Sequence, residues 1–77
     1  MKISYDPKAD ALYIQFSTGS MGQEGKVGKT KKVEEGILID LDNSGKIFGI
    51  EIIGLSERMS IKELGHISFD LPLAKVG

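Results

Sequence analysis

The fold of this chain depends on residues 40–51, Asp40-Leu41-Asp42-Asn43-Ser44-Gly45-Lys46-Ile47-Phe48-Gly49-Ile50-Glu51. This stretch fits two structures. As a calcium-binding loop it has oxygen-bearing side chains at its first, third, fifth and twelfth positions and glycine at the sixth. As a β-hairpin it has a four-residue turn between two segments in which apolar residues recur with a period of two.

The residues on either side of this stretch favour the hairpin. An EF-hand loop lies between two amphipathic helices, whereas the flanks here are the β-branched runs 36–39 and 50–53. In a hairpin, Gly45 adopts the left-handed conformation after a type I turn and leads into a bulge. Ile47 then pairs with Leu41, and Ile50 pairs with Leu38. Glu51 would lie about 20 Å along the strand, too far to complete a calcium shell, so we predict a hairpin and no metal site.

Both faces of this hairpin carry apolar side chains. On the first strand, one face carries Ile37, Ile39 and Leu41, and the other face carries Leu38. On the return strand, one face carries Phe48, Ile50 and Ile52, and the other face carries Ile53. This pattern is typical of a central strand pair that is covered on both sides. A helix on one face and a second subunit on the other would supply that cover.

The remaining segments predict an α+β fold. Alternating apolar residues at 2–5 and 11–16 predict an opening hairpin around the Pro7 turn, and the lysine-rich segment after residue 28 predicts an edge strand. Ser60 and Glu63 have capping-box spacing, which predicts a short helix. Residues 17–28, with glycine at every third position from 19, are expected to form a flexible connector. The prediction is one domain, residues 1–77, with a small antiparallel sheet of strands near 2–5, 11–16, 29–34, 36–42, 46–53 and 66–71 and one short helix near 56–64.

Composition narrows the classes of partner. The 77 residues include ten basic and eleven acidic side chains, which gives a net charge of −1 and no overall electrostatic reason to bind nucleic acid. The local lysine cluster at 26–32 contains no arginine and no aromatic residue, and two glutamates follow it. The chain has no cysteine, no apolar run of about 18 residues and no signal-peptide pattern. We therefore expect a soluble, cytoplasmic protein without membrane or nucleic-acid partners.

The densest group of polar and aromatic residues consists of Tyr5, Asp6, Asp10 and Tyr13. Two carboxylates at this spacing can act as acid and base, or can line a pocket for a small ligand. Alternatively, the aspartates form the turn around Pro7 and the tyrosines pack at the rim of the sheet. These four residues are the candidate binding residues. No nucleophile elbow is present and there is only one histidine, so we predict no catalytic residues, no cofactor and no metal ligands.

Two blocks of sequence resemble a known family. They are Tyr5-Asp6-x-x-x-Asp10-x-Leu12-Tyr13-Ile14 and Gly36-Ile37-Leu38-Ile39-Asp40-Leu41-Asp42…Gly45…Gly49-Ile50-Glu51-Ile52-Ile53. In this order they resemble the YuzE-like family of small bacterial and archaeal proteins, catalogued as domain of unknown function 2283. The resemblance implies a compact antiparallel sheet with a short helix, no established enzymatic activity and, for some members, an antitoxin-like partnership with small RNase-type toxins. It transfers no catalytic or binding residues.

Two functions remain open at this point. The favoured one is a small protein-interaction module, either an antitoxin-like component or a homodimer, because the chain is too short to cover both faces of its central hairpin. The alternative is a small-ligand-binding domain or enzyme that uses Tyr5, Asp6, Asp10 and Tyr13. The lack of a catalytic constellation makes an enzyme the less favoured expectation.

Overall fold

A computed structural model of the chain describes residues 1–16 and 27–72. These residues form one five-stranded antiparallel sheet with the strand order β1-β2-β5-β4-β3. The strands are β1 (Lys2–Asp6), β2 (Ala11–Gln15), β3 (Val27–Glu34), β4 (Ile37–Asp42) and β5 (Ile47–Ile53). The edges of the sheet are therefore β1 and β3, and β5 lies at its centre.

The predicted hairpin at residues 40–51 is confirmed. The Gly45 N–H donates to the Asp42 carbonyl at 3.0 Å, and Gly45 has a φ of +89°, as a type I turn followed by a left-handed residue requires. The buried Asp42 carboxylate accepts hydrogen bonds from the backbone N–H groups of Ser44 and Lys46 and from the Ser44 hydroxyl. This aspartate therefore organises the turn.

The register within this hairpin differs from the prediction. Leu41 pairs with Ile47 as expected, but Ile50 pairs with Ile39 rather than with Leu38. The cause is an irregularity after Asp40, which leaves Phe48 as one extra residue on β5. A single inserted residue changes the partner of every residue beyond it.

Cross-strand pairing sorts the side chains onto two faces, because directly opposed residues in an antiparallel pair share a face. One row across four strands consists only of isoleucines: Ile3, Ile14, Ile50 and Ile39. We call this side the apolar face; its members are Ile3, Tyr5, Leu12, Ile14, Ile37, Ile39, Ile50 and Ile52. We call the other side the polar face; its members are Ser4, Tyr13, Gln15, Thr30, Lys32, Leu38, Asp40 and Glu51.

The sheet is a single layer with a core at one end. Of the described hydrophobic residues, only Leu12 (5% exposed) and Leu55 (1% exposed) are fully buried. Leu55 follows β5, and its N–H donates to the Asp10 carbonyl at 3.1 Å beside the start of β2. The central isoleucines Ile14, Ile39 and Ile50 are only half-buried. A domain normally buries the apolar side of a sheet against a second layer, and the described residues supply that layer at one end only.

The predicted α+β class is wrong, because the described residues contain no α-helix and the fold is mostly β. The predicted helix at 56–64 is replaced by two short 3-10 helices, Leu55–Glu57 and Ile61–Gly65. Ser60 precedes the second one, but its hydroxyl makes no capping hydrogen bond. A nine-residue segment that contains two serines is too short to sustain an α-helix without strong packing.

The predicted strand at 66–71 is also wrong. These residues have no partner in the described sheet. Ile67 and Phe69 instead line an open cavity with Met1 and Ile3, at the β1 edge. The alternation that suggested a strand therefore places two apolar side chains beside the apolar face.

The third strand begins two residues earlier than predicted, at Val27, and lies at an edge as expected. All eight of its residues are exposed, and two irregularities interrupt its pairing with β4. Most of the predicted glycine-rich connector, residues 17–26, lies outside the described residues. No helical segment within residues 1–16 and 27–72 has the length and apolar character that a membrane crossing requires.

Candidate functional site

Two of the four predicted binding residues meet in one cluster, which we call the Asp10 latch and which consists of Tyr5, Asp10 and Ser56. The Tyr5 hydroxyl donates to Asp10 Oδ1 at 2.7 Å. The Ser56 hydroxyl donates to Asp10 Oδ2 at 2.6 Å, and the Ser56 N–H donates to Oδ1 at 3.0 Å. The latch thus joins β1, the first turn and the first 3-10 helix.

The backbone of Asp10 contributes to the same connection. Its carbonyl accepts hydrogen bonds from the N–H groups of Gly54 and Leu55, at 2.8 and 3.1 Å. Asp10 is the only described residue other than glycine with a positive φ, at 51°. Aspartate tolerates this left-handed conformation better than most residues. Its side chain thereby serves as a capping group for a helix 46 positions further along the chain.

These hydrogen bonds determine the ionisation of the latch. The Ser56 hydroxyl, and after it the Tyr5 hydroxyl, hold the pKa of the Asp10 carboxyl below its usual value of 3.8. The same bond to Asp10 raises the pKa of the Tyr5 hydroxyl. Asp10 is therefore a carboxylate at neutral pH, and Tyr5 is a neutral donor.

The other two predicted residues lie elsewhere. Asp6 accepts hydrogen bonds from the N–H groups of Lys8 and Ala9, at 3.0 and 3.4 Å, so it supports the turn at Pro7. Tyr13 lies on the polar face, whereas Tyr5 lies on the apolar face. The structure therefore brings Tyr5 and Asp10 together and separates them from Asp6 and Tyr13. That these four residues bind a ligand stays a prediction.

The polar face contains a second cluster, which we call the Tyr13 bridge and which consists of Tyr13, Asp40 and Thr30. The Tyr13 hydroxyl donates to Asp40 Oδ2 at 2.7 Å, and the Thr30 hydroxyl donates to Oδ1 at 2.6 Å. Tyr13 lies on β2 and Asp40 on β4, so the tyrosine ring must cross β5. It does so over Gly49, where a Cβ atom would lie 2.5 Å from the ring carbon Cζ.

Burial and neighbouring charge make Tyr13 a poor acid. Partial burial, then the hydrogen bond to Asp40, and then the negative charges of Asp40 and Glu51 raise the pKa of the Tyr13 hydroxyl above its ordinary value of 10.0. The hydroxyl therefore stays protonated and donates to Asp40 over the physiological pH range. This supports a structural bridge across three strands better than proton transfer to a substrate.

Sequence reasoning missed three residues of these clusters: Ser56, Asp40 and Thr30. In the sequence, Asp40 is notable only as the first position of a possible calcium loop. A signal for its position was available, because an aspartate inside a β-branched strand requires a hydrogen-bonding partner if it is half-buried. No sequence pattern indicates that the partner of Asp10 is Ser56, since the contact spans 46 residues.

Arg58 reinforces the same end of the sheet as the Asp10 latch, where β5 ends and β2 and β4 begin. Its guanidinium donates to the Glu35 carbonyl at 2.6 Å through Nη2 and to the Ile53 carbonyl at 3.3 Å through Nε. It also lies 3.8 Å from the Glu34 carboxylate. These contacts join the β3–β4 turn to the end of β5, so the positive charge of Arg58 is already paired.

A third feature is apolar. Met1, Ile3, Ile67 and Phe69 line an open cavity of about 440 Å³, which we call the Phe69 cavity. Ile3 belongs to the isoleucine row, so this cavity continues the apolar face at the β1 edge. Phe69 is 72% exposed and Ile3 is 38% exposed. Contiguous large apolar side chains with this exposure mark sites of interaction.

The described residues contain no cluster of side chains that could bind a metal ion. Within residues 1–16 and 27–72, no three histidine, cysteine or acidic side chains converge closely enough to hold an ion. The acidic residues that would bind calcium in a loop at 40–51 lie apart from one another. Asp42 organises the turn, whereas Glu51 lies in the middle of the sheet, opposite Tyr13 and Leu38.

The paired aspartates predict a dependence of stability on acid. The pKa values of Asp10 and Asp42 in the folded state lie below 3.8. A lowered pKa means that the folded state binds the proton less readily, so this stabilisation is complete above about pH 5 and is lost as the pH falls through and below 3.8. Urea unfolding at a series of pH values should show a free energy of unfolding that falls below about pH 4. The Asp42→Asn variant should show a shallower fall, and identical acid dependence in both proteins would contradict the assignment.

Comparison with protein families decides where the chain belongs. A model of the family described as protein of unknown function DUF2283 matches residues 2–56. The chain belongs to this family. The part that matches DUF2283 contains all five strands, the Tyr13 bridge and the complete Asp10 latch, and it ends at Ser56. Of the four residues that line the Phe69 cavity, only Ile3 lies within the DUF2283 match. Comparison with curated proteins and with solved structures gives no match.

Proposed function

We propose that this protein is a protein-interaction module and that its docking surface is the apolar face of the sheet. The observation that carries the proposal is the row of four isoleucines on a side of the sheet that residues 1–16 and 27–72 cover at one end only. Its central members stay half-buried, although they occupy positions that a second layer normally covers. A protein surface packed on this face would complete the core.

The energetics support this reading. Burial of apolar surface is worth roughly 25 cal/mol per Å², and full burial of one isoleucine side chain from an exposed state is worth about 1.5–3 kcal/mol. The half-buried Ile14, Ile39 and Ile50 and the exposed Ile3 could therefore gain on the order of several kcal/mol of burial free energy if a partner covered them. A domain of this size has a free energy of unfolding of only about 5 kcal/mol. Association through the apolar face would therefore increase its stability by a large fraction.

The hydrogen bonds favour interaction over the ligand-binding alternative. The Asp10 carboxylate is occupied by Tyr5 and Ser56, and the Asp40 carboxylate by Tyr13 and Thr30. A ligand at either cluster would have to replace bonds that hold strands together. The geometry gives these polar residues a role in building the sheet, and the apolar face remains as the surface without such a role.

The partner can be of two kinds. A second copy of the chain would form a homodimer, and a different protein would make the chain one member of a cognate pair, as in the antitoxin-like role that the family resemblance implies. Both kinds require the same face, so the first experiment tests the face and not the identity of the partner.

The experiment is photo-cross-linking in cells that express the protein. A photoreactive benzoyl-phenylalanine at position 3 lies on the apolar face, and the same residue at position 4 lies on the polar face, one strand position away. We expect irradiation to produce covalent protein adducts from position 3 and few from position 4. Equal yields from the two positions, or no adduct from position 3, would refute the proposal.

A further inference from the structure

We infer that Asn43 is a modification site that the fold keeps closed: its side-chain amide deamidates when the turn between β4 and β5 opens, and the Asp42 carboxylate suppresses the reaction while the turn is intact. Asn43 is the single asparagine of the chain, and the small residue Ser44 follows it. Asparagine is among the chemically labile side chains. Both residues are exposed, so water reaches them.

Deamidation at this pair of residues is an intramolecular reaction followed by hydrolysis. The backbone nitrogen of Ser44 loses its proton and forms a bond to Asn43 Cγ, and the side-chain amide nitrogen takes up a proton and leaves as ammonia. Water then opens the cyclic imide. If the bond from the Ser44 nitrogen to Cγ breaks, the product is aspartate. If the bond from that nitrogen to the main-chain carbonyl carbon breaks, the product is isoaspartate.

The Asp42 carboxylate restrains the attacking nitrogen. The Ser44 N–H donates to Asp42 Oδ1 at 2.9 Å, and the Ser44 hydroxyl donates to the same oxygen at 2.6 Å. Hydrogen bonds from the Ser44 hydroxyl and then from the Lys46 N–H hold the pKa of the Asp42 carboxyl below its usual value of 3.8, so it is negatively charged at neutral pH. A negative charge at this distance opposes the loss of a proton from the Ser44 nitrogen. The nitrogen also has to give up a charge-assisted hydrogen bond before it attacks.

Contacts on the other side restrain Asn43 itself. β3 passes so close to the turn at Gly28 that a Cβ atom there would lie 3.1 Å from Asn43 Cα and would overlap Asn43 Oδ1. The hydrogen bond from the Gly45 N–H to the Asp42 carbonyl, at 3.0 Å, closes the turn around Asn43. Formation of the imide requires rotation of both the backbone and the side chain of this residue. The turn therefore has to open before Asn43 reacts.

The modification would damage the hairpin irreversibly. Isoaspartate adds a carbon atom to the main chain inside the turn, where the Asp42 N–H also donates to the Lys46 carbonyl at 2.8 Å. A lengthened turn cannot keep this bond together with the pairing of Leu41 with Ile47. The reaction needs only the chain and water and no partner on the apolar face, so it is independent of the proposed function.

The test measures deamidation of the full chain by intact-mass spectrometry and peptide mapping, in mildly alkaline buffer with and without enough guanidinium chloride to unfold it. We expect the folded chain to react at least about tenfold more slowly than the unfolded chain, the factor that one hydrogen bond to a charged group supplies. The Asp42→Ala variant should react like the unaltered chain when unfolded and at least about tenfold faster than it when folded. In Asp42→Ser a hydroxyl replaces the charged acceptor, so its folded rate should be intermediate. The matched control is Asp6→Ala, which removes the acceptor of a different turn and should leave the rate unchanged.

Three results would overturn the inference. Equal rates for the folded and unfolded unaltered chain would show that the turn gives no protection. A folded Asp42→Ala variant, with its folded state verified by circular dichroism, that reacts as slowly as the unaltered chain would remove the role of the carboxylate. If Asp42→Ala does not fold, the folded Asp42→Ser variant decides the same point. No deamidation of the unfolded chain would remove Asn43 as the site.

Discussion

Replacement of Gly49 by alanine should lower the free energy of unfolding by about 2–3 kcal/mol, the upper part of the range of about 1–3 kcal/mol for an overpacked site. A Cβ atom at this position would lie 2.5 Å from Tyr13 Cζ and 2.8 Å from the carbonyl oxygen of Ile14. The ring therefore has to move, and its hydroxyl has to leave Asp40. In a domain of this length such a loss corresponds to a fall in Tm of about 10–20 °C.

Urea unfolding of matched variants measures this effect. Gly65→Ala is the control, because no atom lies within 4 Å of a Cβ at that position, and it should be nearly neutral. In a Tyr13→Ala background, Gly49→Ala should cost less, because the ring is gone, but the contact with the Ile14 carbonyl remains. If Gly49→Ala costs the same in both backgrounds, the tyrosine does not cross the sheet at this residue.

Replacement of Asp10 by alanine should lower the Tm by at least about 5 °C. The substitution removes the acceptor of the Tyr5 and Ser56 hydrogen bonds and places alanine at a φ of 51°. The first 3-10 helix then loses its attachment to β1 and to the first turn. Since this helix begins at the buried Leu55, the change also loosens one end of the core.

Two further variants separate the contributions in Asp10. Asn tolerates the left-handed conformation and keeps one acceptor oxygen, so Asp10→Asn should lower the Tm by less than Asp10→Ala. Asp6→Ala is the matched control, since Asp6 belongs to the same turn but bonds only to the nearby N–H groups of Lys8 and Ala9. Thermal denaturation followed by circular dichroism measures all three. If Asp6→Ala and Asp10→Ala have equal effects, the long-range latch contributes nothing.

The elements that sequence predicted correctly are those with local signals. In the turn from Asp42 to Gly45, the Asp42 carboxylate accepts backbone N–H hydrogen bonds, and glycine occupies the position that requires a positive φ. Alternation identified both hairpins, but the predicted register placed Ile39 and Ile50 on opposite faces, whereas the irregularity after Asp40 brings them to the same face. The exposure of β3 followed from its lysines, which typically protect an edge strand.

The errors have a common physical origin in tertiary context. Residues 56–64 show capping-box spacing, but the N–H of Ser56 is taken by Asp10, and the Ser60 hydroxyl does not cap. Residues 66–71 alternate like a strand, yet a strand exists only where a neighbour completes its hydrogen bonds. A local sequence pattern does not indicate whether a neighbouring strand is present.

The candidate site was predicted only in part, because its contacts also depend on tertiary context. Tyr5 and Asp10 are close in sequence and proved close in space. Tyr5 and Tyr13 appeared equivalent around the first turn, but the register places them on opposite faces. The partner of Tyr13 depends on the order of β2, β5 and β4 in the sheet, which alternation along single strands does not reveal.

The most direct test of the docking surface compares two exposed isoleucines on opposite sides of the sheet, Ile3 on the apolar face and Ile53 on the side of the polar face. Photoreactive benzoyl-phenylalanine replaces each of them in turn, and the covalent protein adducts that irradiation produces in cells are measured. We predict adducts from position 3 and few from position 53. Adducts from position 53 with none from position 3 would contradict the account.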